Sequence, residues 1–166
     1  MYYLFKKLHY DQNTTELTTP SAYLAANPTC QDMHCNVSSW GHEGTFVKWM
    51  QGDTSWMYRH GHEAAETLGE LAKTETQTKL QKRVLAQAAR QLMVATSSDL
   101  PFVISNGHFV DRMKEQFCEN LRGFYDLCQD FRRLQSGTDI DLQRLRSLEL
   151  ENTLITELDP DWFKKP

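Results

Sequence analysis

From Asp53 onward, apolar residues recur at steps of three and four, the spacing that gathers them on one face of an α-helix. The first stripe is Met57, Gly61, Ala64, Leu68 and Leu71, with small residues in its middle that admit a neighbouring helix closely. Asp53 or Thr54 stands where such a helix wants its N-cap. A second stripe, Leu80, Val84, Ala88, Leu92 and Ala95, leaves Lys79, Lys82, Arg83 and Arg90 mostly off its face. Both read as surface helices of a bundle. Ser97-Ser98-Asp99-Leu100-Pro101-Phe102 interrupts the pattern, because proline disfavours helix at the residue before it and the serines and aspartate offer turn or cap bonds. A short turn ending at Asn106-Gly107 is expected there. A long helix over roughly 108–135 follows, with Val110, Met113, Phe117, Leu121, Phe124, Cys128, Phe131 and Leu134 as the backbone of the core. Ser136-Gly137 ends it, and Asp139 can start a last helix through Leu142, Leu145, Leu148 and Ile155.

Residues 1–37 show little periodicity, apart from a short helix at Thr19-Pro20-Ser21-Ala22-Tyr23-Leu24-Ala25-Ala26, where Thr19 caps, Pro20 suits the first helical position and Asn27-Pro28 stops it. No alternation of strand length appears anywhere. The expected fold is all-α, a helical bundle of about four to five helices, residues 38–166, behind an irregular N-terminal connector, residues 1–37.

Length and charge narrow the class. A chain of 166 residues holds one domain with a real core. A formal net charge of −4, with no Lys/Arg run longer than a pair, argues against a nucleic-acid surface. No apolar stretch approaches membrane length, and Lys6 and Lys7 follow a very short apolar run, the reverse of a secretory signal. A soluble, cytoplasmic chain without a membrane partner is expected. Its four cysteines, Cys30, Cys35, Cys118 and Cys128, form no disulfide framework and read as reduced thiols. Cys30, His34, Cys35 and His42 lie close in sequence, but C-x₄-C without a second cysteine pair is poor zinc spacing, so no metal is expected. His60 and His62 do not chelate either, since two residues apart on a helix they point about 200° from each other.

The candidate chemistry lies in Ser38–His60, which holds three of the four tryptophans. Core packing is the commoner role of a tryptophan, and Trp56 fits it, opening a helical pattern with apolar neighbours at helical spacing. Trp40 and Trp49 sit instead among Ser38, Ser39, Gly41, Gly44, Gly52 and Asp53, residues that favour turns and caps. A broad apolar ring with one N–H donor suits a ligand with C–H bonds on its face and hydroxyls round its rim, as a sugar has. Trp40 and Trp49 are the substrate-binding candidates, and Gly41 and Gly44 shape their loop.

These segments resemble, in the same order, the C-terminal helical region of glycoside hydrolase family 57, especially its α-1,4-glucan branching enzymes. The words that carry the resemblance are Lys7-Leu8-His9-Tyr10-Asp11, Thr19-Pro20-Ser21-Ala22-Tyr23-Leu24, Ser38-Ser39-Trp40-Gly41, Trp49, Trp56-Met57-Tyr58-Arg59-His60, Ala89-Arg90-Gln91-Leu92, Ser97-Ser98-Asp99-Leu100-Pro101-Phe102 and Leu158-Asp159-Pro160, covering nearly the whole chain. The resemblance implies a helical domain that packs on a catalytic (β/α)₇ barrel, in cis or in trans, and lends aromatic walls to its glucan cleft. It places Trp40 and Trp49 in the donor or acceptor groove, holding an α-1,4-glucan chain and keeping water from the glycosyl intermediate in glycogen-type biosynthesis. Two departures stand out. Trp40-Gly41-His42-Glu43-Gly44 lacks the two adjacent glycines expected of many relatives, and Leu100 stands where relatives commonly carry tryptophan.

A retaining enzyme of this kind needs two carboxylates about 5–5.5 Å apart. In the family both sit on the barrel, whose sequence words do not occur in this chain. Glu43, Asp53, Glu63 and Asp99 read as caps, turn formers and solvated charges. No catalytic residue and no cofactor is therefore assigned, and the chain alone is expected to be inactive. The alternative is a non-catalytic α-glucan-binding or helical interaction module that docks on a separate barrel subunit.

Overall fold

The computed structural model describes residues 1–75, 78–153 and 155–164, which form helices, turns and loops with no strand among them. The chain folds into two compact units, Met1–Val37 and Ser38–Pro166. No helix among the described residues is long and apolar enough to cross a membrane.

The first unit holds α1 (Tyr2–Tyr10) and α2 (Pro20–Ala26), neither of which buries a residue. Thr19 caps α2 as expected, its hydroxyl accepting from the Ala22 N–H at 3.2 Å, with Pro20 in the first turn. The periodicity reading misses α1. Its N-cap residue, Met1, makes no side-chain bond, and no glycine or proline marks its end, so the usual boundary signals are absent. The Gln12 amide closes the turn beyond it, accepting from the backbone N–H groups of Thr14 at 2.9 Å and Thr15 at 2.8 Å.

The second unit is a bundle of α3 (Ser55–Lys73), α4 (Lys79–Ala95), α5 (Asp99–Ser105), α6 (Val110–Gln135) and α7 (Leu142–Glu151), with one-turn 3₁₀ segments at His42–Gly44 and Pro160–Phe163. The α3 stripe is buried in full, Met57, Gly61, Ala64, Leu68 and Leu71 alike. Helix α4 differs from expectation: it is the central helix, not a surface one. Beyond Val84, Ala88, Leu92 and Ala95 it buries Leu85, Ala86, Ala89, Gln81, Gln87 and Gln91. Alanines on several of its sides let other elements approach closely, and a single-stripe reading registers only its strongest face. Thr78 and Gln81 start it with a reciprocal capping box.

Helix α6 carries two core clusters. Phe117 packs with Met57, Ala95, Leu100 and Ile104. Phe124, Leu127, Cys128 and Phe131 pack with residues of α3 and α4 and with Leu145 and Leu158, while Leu121 touches both clusters. Burial pushes the Cys128 thiol up to about 12.

Two boundaries are corrected. Pro101 lies inside the first turn of α5, so the stretch read as a turn is a helix, because the first N–H groups of a helix have no intrahelical acceptor and a proline costs nothing there. Helix α7 is capped by Asp141, not Asp139. The Asp141 carboxylate accepts from the N–H groups of Gln143 at 2.9 Å and Arg144 at 3.0 Å, and the helix ends before Ile155.

Candidate functional site

The segment from Ser38 to Thr54 folds into a loop held by its own backbone. Ser39 N–H donates to the Gly44 carbonyl at 2.9 Å, Gly44 N–H to Gly41 at 3.1 Å and Thr45 N–H to His42 at 3.1 Å. The Ser39 hydroxyl reaches the Thr45 carbonyl across the same turn. His42, Glu43 and Gly44 take φ of +43°, +58° and +80°, three consecutive left-handed residues of which only the last is a glycine. His42 thus occupies, in strained form, the place where a second glycine would be free of strain. Gly41 is buried, and a Cβ there would lie 3.6 Å from the Trp49 ring.

Both loop tryptophans meet in this structure. Trp40 is 82% exposed. Its ring lies 5.7 Å from that of half-buried Trp49, with 76° between the planes. A third ring completes the group: Phe102 of α5 is 5.8 Å from each, tilted 39° against Trp40 and 37° against Trp49. Sequence reasoning did not assign Phe102 to the site. The only available signal was its place at the end of the Ser-Ser-Asp-Leu-Pro-Phe word, since nothing in spacing brings residue 102 to residue 40.

Side chains outside the rings fix the loop to the bundle. Thr54, fully buried, is at the N-cap position of α3 but makes no side-chain cap bond. Its hydroxyl donates instead to the Trp49 carbonyl at 2.7 Å and accepts from the Gln51 N–H at 3.2 Å. Lys48 donates from Nζ to the Asn106 Oδ1 at 2.8 Å, joining the loop to the end of α5. Trp56 stands apart from the ring group: half-buried, it meets Phe117 edge-on at 5.1 Å and donates from Nε1 to the Asp53 carbonyl at 3.0 Å. Leu100, at the position where tryptophan was expected, is buried in the Phe117 cluster, so that position packs the core beneath α5.

Glu63 binds Arg59 at 3.0 Å along α3, and Asp99 sits in the first turn of α5. Among the described residues, no three His, Cys, Asp or Glu side chains converge on a possible metal position, and Cys30 and Cys35 are exposed and unbonded to each other. The Trp40, Trp49 and Phe102 rings form an aromatic surface with hydrogen-bonding neighbours.

Residues 60–163 match the profile of the family described as 1,4-alpha-glucan branching enzyme, C-terminal. The chain belongs to that family. A curated relative, the 1,4-alpha-glucan branching enzyme TK1436 of Thermococcus kodakarensis, is 26% identical over 112 residues, covering 67% of this chain and 17% of its own length. Its crystal structure, a GH57 branching enzyme in complex with glucose and additives, superposes with a TM-score of 0.82 at 21% identity, over 92% of this chain and 28% of that one. The GH57-type branching enzyme of Pyrococcus horikoshii gives 0.81 at 24% identity, over 89% and 28%. The alpha-amylase AmyC of Thermotoga maritima gives 0.74 at 26% identity, over 98% and 29%. The chain therefore spans less than a third of each of these proteins. The all-α bundle, expected from periodicity, is the fold these structures share with it.

Proposed function

We propose that this chain forms the aromatic wall of an α-1,4-glucan cleft in a branching enzyme, with Trp40 and Trp49 as the stacking surfaces and Phe102 backing both. The observation that carries the reading is Trp40: a ring 82% exposed in a member of the branching-enzyme family, held against two other rings. An exposed indole fixed in place loses little freedom when a sugar ring stacks on it. Gly41 and Gly44 shape the loop that presents it. The transferred glucan is held and shielded from water here, while the carboxylate pair of the reaction belongs to a (β/α)₇ barrel supplied in cis or in trans. Residues 1–37 serve as the connector to that barrel and residues 38–166 as the helical domain. The same reading assigns the chain to cytoplasmic synthesis of a glycogen-like polymer.

Affinity electrophoresis in amylose gels tests the wall. The chain should be retarded, and Trp40→Ala and Trp49→Ala should each lose most of that retardation. Equal retardation of both variants would refute the assignment. Incubated alone with amylose, the chain should make no α-1,6 branches. New branches formed by the pure chain would show that the carboxylate pair lies within it.

A further inference from the structure

Helix α4 carries two buried glutamines one turn apart, and their amides are treated differently. Gln87 is bonded at both ends, donating from Nε2 to the Leu148 carbonyl at 2.9 Å and accepting from Arg90 at 3.3 Å. Gln91, on the same face and 7% exposed, makes no side-chain hydrogen bond to the protein among the described residues, and what exposure its amide keeps is toward a groove, not the core. Its amide lines a groove of about 470 Å³ between α4, α6 and the end of α7.

Amides are the commonest side chains in the walls of this groove. Gln116, Asn120 and Asn152 add three more amides. Asn120 gives its N–H to the Gln116 backbone carbonyl at 2.8 Å, which leaves its own carbonyl oxygen for another donor. Arg112 is paired with Glu115 at 3.1 Å and Glu119 at 3.4 Å, so it presents no unmatched positive charge, and Glu151 contributes one charged acceptor. Opposite Gln91 stands Gly123, inside the 26-residue helix α6, where glycine weakens a helix. A Cβ at this position would lie 3.6 Å from both Cδ and Oε1 of Gln91, so any longer side chain there would begin to fill the groove.

We infer that the groove between α4, α6 and α7 is a second binding site, for a neutral polyhydroxylated ligand, with the Gln91 amide, which no protein group bonds, at its base. An amide offers a donor and an acceptor side by side, and a sugar hydroxyl is both an acceptor and a donor, so neighbouring hydroxyls satisfy it at both ends. The paired arginine and the carboxylate acceptor do not favour an anion. The choice of an α-glucan among such ligands rests on the function proposed above; the amide chemistry does not.

The test is a titration of the full ¹⁵N-labelled chain with maltoheptaose, following the Gln91 and Asn120 side-chain amides separately from the Trp40 and Trp49 indole N–H signals. The groove amides should shift saturably, and inorganic phosphate should not move them. Gln91→Leu should weaken the groove isotherm by about tenfold, the loss of roughly one good pair of hydrogen bonds. The same variant should leave the indole shifts intact and not lower the melting temperature, because Gln91 has no protein bond to lose. Gly123→Leu, which plugs the groove from the other side, should abolish the groove shifts. Indole shifts without amide shifts, an unchanged isotherm in Gln91→Leu, or amide shifts with phosphate instead of sugar would overturn the inference and leave the Trp40 wall standing. Amide shifts without indole shifts would uphold the groove and overturn the wall.

Discussion

At the scale of single residues, the aromatic loop keeps its shape partly against local preference. Left-handed backbone disfavours a side chain by roughly 1–2 kcal/mol per residue, and His42 and Glu43 both adopt it. His42→Gly should therefore stabilise the loop by about 1 kcal/mol, read as slower hydrogen exchange at the Ser39 and Gly44 amides. Faster exchange would mean that the histidine side chain supports the turn. Cys128 gives a pH-dependent counterpart in the core. An unfolded thiol ionises near pH ~8.5, whereas the buried Cys128 holds its proton up to about 12. Between those values the unfolded state binds fewer protons, so stability is intact below the window and falls as pH rises through it. Urea midpoints should decline across that range more steeply for the natural chain than for Cys128→Ala. At about pH 8, a thiol reagent should label exposed Cys30 and Cys35 and spare Cys128.

At the scale of elements, the start of α4 is the sharpest local signal. The Thr78 hydroxyl accepts from the Gln81 N–H at 3.1 Å while the Gln81 side chain accepts from the Thr78 N–H at 3.0 Å. Thr78→Ala should cost about 1 kcal/mol of stability, seen as a lower urea midpoint with an unchanged slope. Legibility in sequence tracked how local the cause was. The stripes of α3 and α6 follow from the helical repeat, and α2 from Thr19 and Pro20 at its start, so all three could be read from neighbours along the chain. The central place of α4 could not, because it depends on which elements close round its alanines. Helix α5 escaped because a proline in the first turn looks like one that breaks a helix. Trp40 and Trp49 were legible as a loop pair through the turn formers beside them. Phe102, more than fifty residues away in sequence, joins them only through tertiary packing, and the groove that Gln91 faces likewise has no signature along the chain.

At the scale of the molecule, α6 ties the bundle together. Phe117 anchors one core cluster and Phe131 the other, both almost fully buried, with Leu121 in contact with each. Phe117→Ala and Phe131→Ala should each cost about 3–5 kcal/mol, and each should lower a single shared transition instead of splitting it. Trp40, Trp49, Trp56 and Trp162 are the chain's four tryptophans and all lie in the second unit, so indole fluorescence follows that unit alone. Two separate fluorescence transitions in Phe117→Ala would show that the clusters unfold separately. The ring group has an optical consequence as well. Indoles 5.7 Å apart and steeply inclined share their excitation, so the folded chain should display a coupled pair of dichroic bands that neither ring produces alone. A ligand that tilts or parts those rings changes the bands directly, and the molecule then reports the occupancy of its own surface without any attached label.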